Sequence, residues 1–189
     1  MNDLKDYDIS FIGLKDGSHQ FEYLIDNRFF EFFEYEDFNS SKVTAQLDFL
    51  KKPTMFELLF SVFGEVEVAC DVTNELFFQP VENQLKLIVK FGDEFNDEND
   101  ELLIIPHGEF KLNVAQFIYE AIVLAVPIKK VHPGVEDGTL ESEVLERLKE
   151  YEISEGIEEI KSVEEVEIDP RWDKLKNILK EKNKSNGTS

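Results

Sequence analysis

Residues 43–49 read Val-Thr-Ala-Gln-Leu-Asp-Phe, and residues 56–62 read Phe-Glu-Leu-Leu-Phe-Ser-Val. Both runs place an apolar side chain at every second position, the first ending before Pro53 and the second at Gly64. A period of two puts one face of a strand on the core and leaves the other face in water. These runs therefore predict two neighbouring antiparallel strands.

Four more runs, on either side of these two, share the period of two: residues 7–12, 21–26, 65–70 and 85–91. Asp16 and Gly17 form a turn signal between the first two of these runs, so we predict that they form a hairpin. Residues 29–38 are crowded with aromatic and acidic side chains, and their pattern leaves strand and helix both open.

The clearest helix signal follows Asn113. Its apolar residues recur with helical spacing, at Val114, Phe117, Ile118, Ala121, Ile122 and Ala125. Asn113 is a good capping residue, and Pro127 ends the regular pattern. We therefore predict the α+β class, with mostly antiparallel strands and one long amphipathic helix covering a face of the sheet.

The composition changes after Gly134 and again after Ile168. Residues 136–168 hold 13 acids and three bases, whereas residues 170–184 hold six bases and two acids. Asp169 is placed to cap a helix with Pro170 at its first position. We predict an α+β core at residues 1–133, a loosely attached acidic arm at 134–168, and a short C-terminal helix with a frayed tail at 169–189.

Charge and composition limit the function classes. The chain has 189 residues, with 41 acids and 20 bases, and a formal charge of −21 that repels phosphate backbones at long range. Its single cysteine excludes an internal disulfide and fits a reducing compartment. We expect a cytoplasmic protein without a membrane partner, because the first residues are polar and no run reaches the roughly 18 apolar residues of a span. The oligomeric state stays open.

The chain carries no recognisable catalytic motif. His19, His107 and His132 belong to no nucleophile, phosphate-loop or zinc-protease pattern, so we predict a protein that is not an enzyme and needs no cofactor. Alternate oxygen ligands at Asp97, Asn99 and Glu101 resemble the start of a calcium loop. Leu102 stands where such a loop needs glycine, and this favours an ordinary solvated loop.

Two basic features are candidate contact sites. The candidate residues are Lys129, Lys130 and His132 after the predicted helix, and Arg171, Trp172, Lys174 and Lys176 near the C-terminus. One interpretation is contact with RNA phosphates, with Trp172 available for stacking or for burial in a partner. The other is a charge-balanced amphipathic helix whose lysines are favoured by the helix dipole.

Three segments in a fixed order resemble the YceD family of large ribosomal RNA subunit accumulation proteins. They are Cys70-Asp71-Val72-Thr73-Asn74-Glu75, the stretch from Leu112-Asn113-Val114 to His132-Pro133, and Asp169-Pro170-Arg171-Trp172-Asp173-Lys174-Leu175. The resemblance implies a non-enzymatic role in the maturation or accumulation of large-subunit (23S) ribosomal RNA. It implies ribosomal RNA, large-subunit precursor particles or a basic ribosomal protein as the partner.

Many members of that family carry Cys-x-x-Cys where this chain has Cys70 and Thr73. Because no other cysteine exists, we predict no metal at this loop. Asp71, Thr73 and Asn74 are good turn formers, so we interpret the motif loop as conserving a shape rather than a metal site. The alternative function is an acidic protein-interaction module, or a chaperone for a basic ribosomal protein.

Overall fold

All the alternating runs except residues 7–12 lie in one six-stranded sheet. This computed structural model describes residues 4–140 and 142–154. The strands are β1 (Asp8–Ile9), β2 (Gly17–Ile25), β3 (Ser40–Lys51), β4 (Met55–Ala69), β5 (Leu76–Gly92), β6 (Asn96–Asn99), β7 (Leu102–Pro106) and β8 (Leu112–Asn113). The helices are α1 (Asn27–Glu31), α2 (Ala115–Val123), α3 (Pro133–Glu136) and α4 (Glu143–Ser154), with 3-10 turns at Leu4–Tyr7 and Phe11–Gly13.

The strand order in the large sheet is β2-β3-β4-β5-β7-β6. Neighbours from β2 to β5 are antiparallel, as predicted, and Phe49 of β3 lies opposite Leu58 of β4. The pairing of β5 with β7 is parallel, which the alternation alone did not predict. β6 pairs antiparallel with β7 and forms the edge of the sheet.

β4 continues through Gly64, where the sequence pattern had predicted an end. Gly64 has a φ of +152°, which residues with a side chain rarely adopt. A Cβ atom at this position would collide with the carbonyl oxygen of Lys42 on the neighbouring strand. Glycine therefore joins the two predicted runs into one strand of fifteen residues instead of separating them.

The predicted hairpin between residues 7–12 and 21–26 was wrong. β1 pairs with β8 in a separate two-stranded sheet, with Asp8 opposite Asn113, and β2 pairs with β3 instead. The chain turns into a 3-10 helix at Phe11, which is buried. The ammonium group of Lys51 donates to the carbonyl oxygens of Phe11 (3.0 Å) and Leu14 (2.8 Å), and this holds the turn against β3.

The predicted α+β class with one long helix covering a sheet face was also wrong. Strands hold far more of the described residues than helices, and no helix within those residues is long enough to cover the sheet. α2 has nine residues and spans about 14 Å, whereas the fifteen residues of β4 span about 50 Å. α2 begins only at Ala115, because Val114, with φ −107° and ψ 2°, lies outside the helix. It ends at Val123, and turns follow before Pro127.

The core lies between the inner face of the sheet and a layer formed by α2, α1 and the N-terminal turns. Phe49, Phe56 and Phe60 on the sheet are at most 1% exposed, and Ile118 and Ile122 of α2 are fully buried. Burial of this apolar surface is the main stabilising contribution to the fold.

The segment at residues 29–38, left open by its pattern, begins as helix and continues as turns. The side chain of Asp26 caps α1 by accepting from the backbone N–H of Arg28 (3.1 Å). α1 buries Phe29 and Phe30 in an aromatic cluster with Tyr7, whose ring centre lies 5.0 Å from that of Phe29. Phe29, Phe30 and Phe38 are thus core residues, whereas Phe32 is 43% exposed.

The chain divides into two compact units, Met1–Glu146 and Arg147–Ser189. The first contains both sheets and α1 to α3. Of the second, the structure describes only the last turns of α4. The described part of the predicted acidic arm contains most of α3 and the whole of α4. Residues 155–168 of the arm and the whole predicted C-terminal helix lie outside the described residues, so those boundaries stay predictions. Within the described ranges, no helix has the length and apolar character needed to cross a membrane.

Candidate functional site

A tight turn follows the last residue of β4 and connects it to β5. The backbone N–H of Cys70 donates to the carbonyl oxygen of Glu75 (2.8 Å), and the N–H of Asn74 donates to the carbonyl oxygen of Cys70 (2.8 Å). Asn74 has a φ of +61°, a left-handed conformation that asparagine tolerates better than most residues. The polar residues of the motif therefore determine the shape of this turn.

The turn is joined to residues 130–134, which lie about sixty residues further along the chain. Asp71 and Lys130 bond in both directions: the N–H of Asp71 donates to the Lys130 carbonyl (2.8 Å), and the N–H of Lys130 donates to the Asp71 carboxylate (2.7 Å). The N–H of His132 donates to the sulfur of Cys70 (3.3 Å). We call the set of residues 70–75 and 130–134 the Cys70 junction.

The thiol of Cys70 lies in a closed, hydrogen-bonding environment. Cys70 is 2% exposed and Thr73 is 8% exposed. Burial by itself raises the pKa of the Cys70 thiol. Hydrogen bonds from the Thr73 hydroxyl and from the backbone N–H groups of His132, Thr73 and Val72 outweigh it, so the pKa lies below its ordinary value. The junction thus stabilises negative charge on a sulfur that solvent barely reaches.

Thr73 occupies the position of the second cysteine of the Cys-x-x-Cys pattern and bonds to the first. Its hydroxyl donates to Cys70 and its oxygen lies 3.5 Å from the backbone N–H of Glu75. In the part of the chain that the structure describes, no group of three His, Cys, Asp or Glu side chains is placed to share a metal ion. The threonine closes the turn through hydrogen bonds.

His132 also contributes to the local structure. Its Nδ1 atom accepts from the backbone N–H of Gly134 (2.9 Å) and so caps α3, and its ring lies 5.5 Å from that of Phe77. The neutral ring with Nδ1 as acceptor is the form that this bond requires. This use of the imidazole gives it a structural role at the start of α3.

The loop before the junction carries exposed basic and apolar side chains. Lys129 is exposed and Lys130 is half-buried, while Ile128 is fully exposed. The sequence predicted the two lysines as contact residues but not Ile128, because an isoleucine next to a helix end normally belongs to the core. Only its place in the fold shows that it faces solvent.

The structure thus brings together one group of the predicted site residues and leaves the other group undescribed. Cys70, Asp71, Thr73 and Asn74 meet Lys130 and His132 in the Cys70 junction, and Lys129 lies beside it. The other predicted contact residues lie outside the described residues: Arg171, Trp172, Lys174 and Lys176.

Comparison with known proteins identifies a family for this chain. Neither the curated proteins nor the solved structures yield a match. The family model described as "Large ribosomal RNA subunit accumulation protein YceD" matches residues 58–179, a range that includes both segments of the Cys70 junction. Since this match spans well over half of the 189 residues, the chain belongs to the YceD family.

Proposed function

We propose that this protein supports the maturation or accumulation of large-subunit (23S) ribosomal RNA in the cytoplasm, and that it acts by binding rather than by catalysis. The observation that carries the proposal is membership of a family described by large ribosomal RNA subunit accumulation. The match begins in β4 and runs through the Cys70 junction, so it covers most of the sheet's central strands as well as α2.

The geometry of the Cys70 junction supports a binding role. The thiol, the Asp71 carboxylate and the His132 imidazole all hold backbone groups in place. Groups engaged in this way fix the shape of a surface, whereas a nucleophile and its base have to face a substrate. The same bonds fix the end of the loop that presents Lys129 and Ile128 to solvent.

The contact that we propose for this loop is with RNA phosphates in large-subunit precursor particles. Lys130 belongs to the junction and Lys129 lies directly before it. The further contacts predicted from the sequence are Arg171, Trp172, Lys174 and Lys176. Because the whole chain carries a charge of −21, such a contact has to be local.

The role in RNA accumulation is tested by deleting the gene and analysing ribosomes on sucrose gradients. We expect fewer mature large subunits and a rise in precursor 23S RNA, measured by mapping the ends of the RNA. Restoration by the wild-type gene controls for effects on neighbouring genes. A deletion strain with unchanged gradients and fully processed 23S RNA would overturn the proposal.

The local contact is tested with the double substitution Lys129→Gln/Lys130→Gln in the full chain. Its matched control is Lys86→Gln/Lys90→Gln, which removes the same charge from two exposed positions on β5. If the loop contacts RNA phosphates, the first variant co-sediments less with precursor particles and its binding depends less steeply on salt. Equal losses in both variants would instead assign the effect to net charge.

A further inference from the structure

A second concave surface lies on another part of the first unit. It is a cleft of about 750 Å³ where the β6–β7 edge of the sheet meets α2 and the chain leading to β8. We call it the acidic cleft; its lining residues are Leu87, Phe95, Asp97, Asn99, Asp100, Leu103, Ile105, Pro106, Glu109, Lys111, Leu112, Asn113, Gln116, Phe117 and Glu120.

The floor of the acidic cleft is apolar. Leu103 and Ile105 of β7 form part of it, and Phe117 of α2 lies half-buried with its ring 5.9 Å from that of Phe60. Phe95 is 59% exposed beside this floor. Leu103 and Ile105 are each 3% exposed, so the accessible apolar surface comes from Phe95 and the half-buried Phe117. Removal of this surface from water is favourable, which is typical of a binding groove.

The rim of the acidic cleft is negative. Four carboxylates line it, from Asp97, Asp100, Glu109 and Glu120, against the single base Lys111. The ammonium group of Lys111 lies 2.6 Å from the carboxylate of Asp8, so most of its charge is already compensated. The ligand that complements this rim is therefore cationic.

We propose that the acidic cleft binds a basic polypeptide segment of a partner protein, one that carries a large apolar side chain among its lysines or arginines. The apolar side chain packs against Phe95 and Phe117, and the cationic side chains pair with the carboxylates of Asp97, Asp100 and Glu120. An apolar floor and a charged rim are the arrangement of typical protein interfaces. A nucleic acid is disfavoured at this surface because four carboxylates repel its phosphates.

This surface is separate from the Cys70 junction and from the lysines proposed to contact RNA. The inference goes beyond the role in RNA accumulation, and the two fail independently. If the peptide does not bind, the gradients of the deletion strain still test the role in RNA accumulation. If those gradients do not change, a measured affinity for the peptide still stands.

The test uses the full chain and a fluorescent twelve-residue peptide of lysine and arginine with two leucines, measured by anisotropy. A second peptide replaces the leucines with serine at the same charge. We expect the first peptide to bind at least about tenfold more tightly than the second, since only the first contributes apolar contacts. Equal affinities for the two peptides, or no binding of the first, would overturn the proposal.

Two substitution pairs locate the binding. Asp97→Asn/Asp100→Asn/Glu120→Gln is compared with Glu31→Gln/Glu36→Gln/Glu82→Gln, which removes the same charge outside the cleft. Phe95→Ala is compared with Phe78→Ala, whose ring is 55% exposed on the other face of the sheet, against 59% for Phe95. We expect each cleft variant to raise the Kd about tenfold or more and each control to change it less than about twofold.

Two further measurements on the full chain and on Phe95→Ala distinguish a basic peptide from two other ligands of the cleft, an RNA and a second copy of this chain. If a single-stranded RNA of twelve nucleotides binds the chain and Phe95→Ala weakens it, the cleft is a nucleic-acid surface and the proposal is wrong. If analytical ultracentrifugation shows a dimer that Phe95→Ala dissociates, the occupant is a second copy of this chain, and the proposal is likewise overturned.

Discussion

The Cys70 junction and the acidic cleft differ in how they use their polar groups. In the junction, the Asp71 carboxylate and the Cys70 sulfur accept hydrogen bonds from the chain's own backbone, and Thr73 is buried among them. In the cleft, carboxylates surround an apolar floor beside the exposed ring of Phe95. The first region is closed on itself, whereas the second is open to a partner.

The difference teaches that a recognisable motif and a binding surface need not coincide. The junction contains the whole first segment by which the family resemblance was stated, yet its bonds hold two chain segments together. The cleft takes only part of its lining from the second of those segments, at Leu112, Asn113 and α2, yet it has the charge and exposed apolar surface of an interface. Substitutions in the junction should therefore change stability, and substitutions in the cleft should change binding.

The largest expected effect concerns α2, which is a core helix on one side and lines the acidic cleft on the other. Ile118→Ala should lower the free energy of unfolding by about 2–5 kcal/mol, because Ile118 is fully buried. Phe117→Ala should cost less, about 1–2 kcal/mol, because its ring is only half-buried. Urea unfolding followed by fluorescence measures both, and equal costs would show that α2 has no open side.

The next effect concerns the bond between the two segments of the junction. Asp71→Ala removes the acceptor of the Lys130 N–H and should lower the free energy of unfolding by about 1 kcal/mol. Glu82→Ala, at an exposed position of β5, is the matched control and should be near neutral. If Asp71→Ala is as neutral as its control, the junction does not hold the two segments together.

Thr73→Val tests the environment of the thiol. It removes the hydroxyl that donates to Cys70, so the pKa of the thiol should rise, as measured by the thiolate absorbance at 240 nm. Thr44→Val, on the outer face of β3, controls for the loss of a hydroxyl. An unchanged thiol pKa in Thr73→Val would show that Thr73 does not stabilise the thiolate.

The lowered pKa also sets the sign of a stability effect. The ordinary pKa of the thiol is 9.0, and the folded chain holds it lower. The free energy of unfolding of the wild type should therefore increase as the pH rises from the folded-state pKa to 9.0, and decrease as the pH falls back through the folded-state pKa. Thr73→Val should show a smaller increase in the free energy of unfolding over this pH range. Urea unfolding below the folded-state pKa and above pH 9 measures it.

The smallest expected effect on stability belongs to the cleft. Phe95→Ala should change the free energy of unfolding by less than about 0.5 kcal/mol, because its ring is 59% exposed. The same variant should lose affinity for the basic peptide. A large loss of stability would show that Phe95 belongs to the core and would remove the contrast with the junction.

The sequence predicted the parts of the fold that follow from local periodicity. Residues 43–49 and 56–62 alternate and form paired strands as expected. The length of α2 could not be predicted, because its apolar spacing continues to Ala125 although the helix ends at Val123. The pairing of β1 with β8 depends on residues about a hundred positions apart, which no local pattern encodes.

The same limit applied to the candidate site. Asp71 and Lys130 were both singled out from the sequence, but their bond across 59 positions became evident only in the folded chain. Asp97 was singled out only as part of a resemblance to a calcium loop, and the cleft was missed because its other carboxylates are scattered among 41 acids and its floor is formed by separate elements. Phe95 is recognised as a candidate contact residue only by the exposure of its ring, and that exposure is known only from the folded structure.

The most direct test of the division between junction and cleft measures the free energy of unfolding and the Kd for the leucine-containing basic peptide in two full-length variants. Asp97→Asn/Asp100→Asn/Glu120→Gln should not lower the free energy of unfolding and should raise the Kd about tenfold or more. Asp71→Ala should lower the free energy of unfolding by about 1 kcal/mol and change the Kd less than about twofold. A cleft variant that binds the peptide with wild-type affinity would contradict the claim that the open acidic surface is the one that binds.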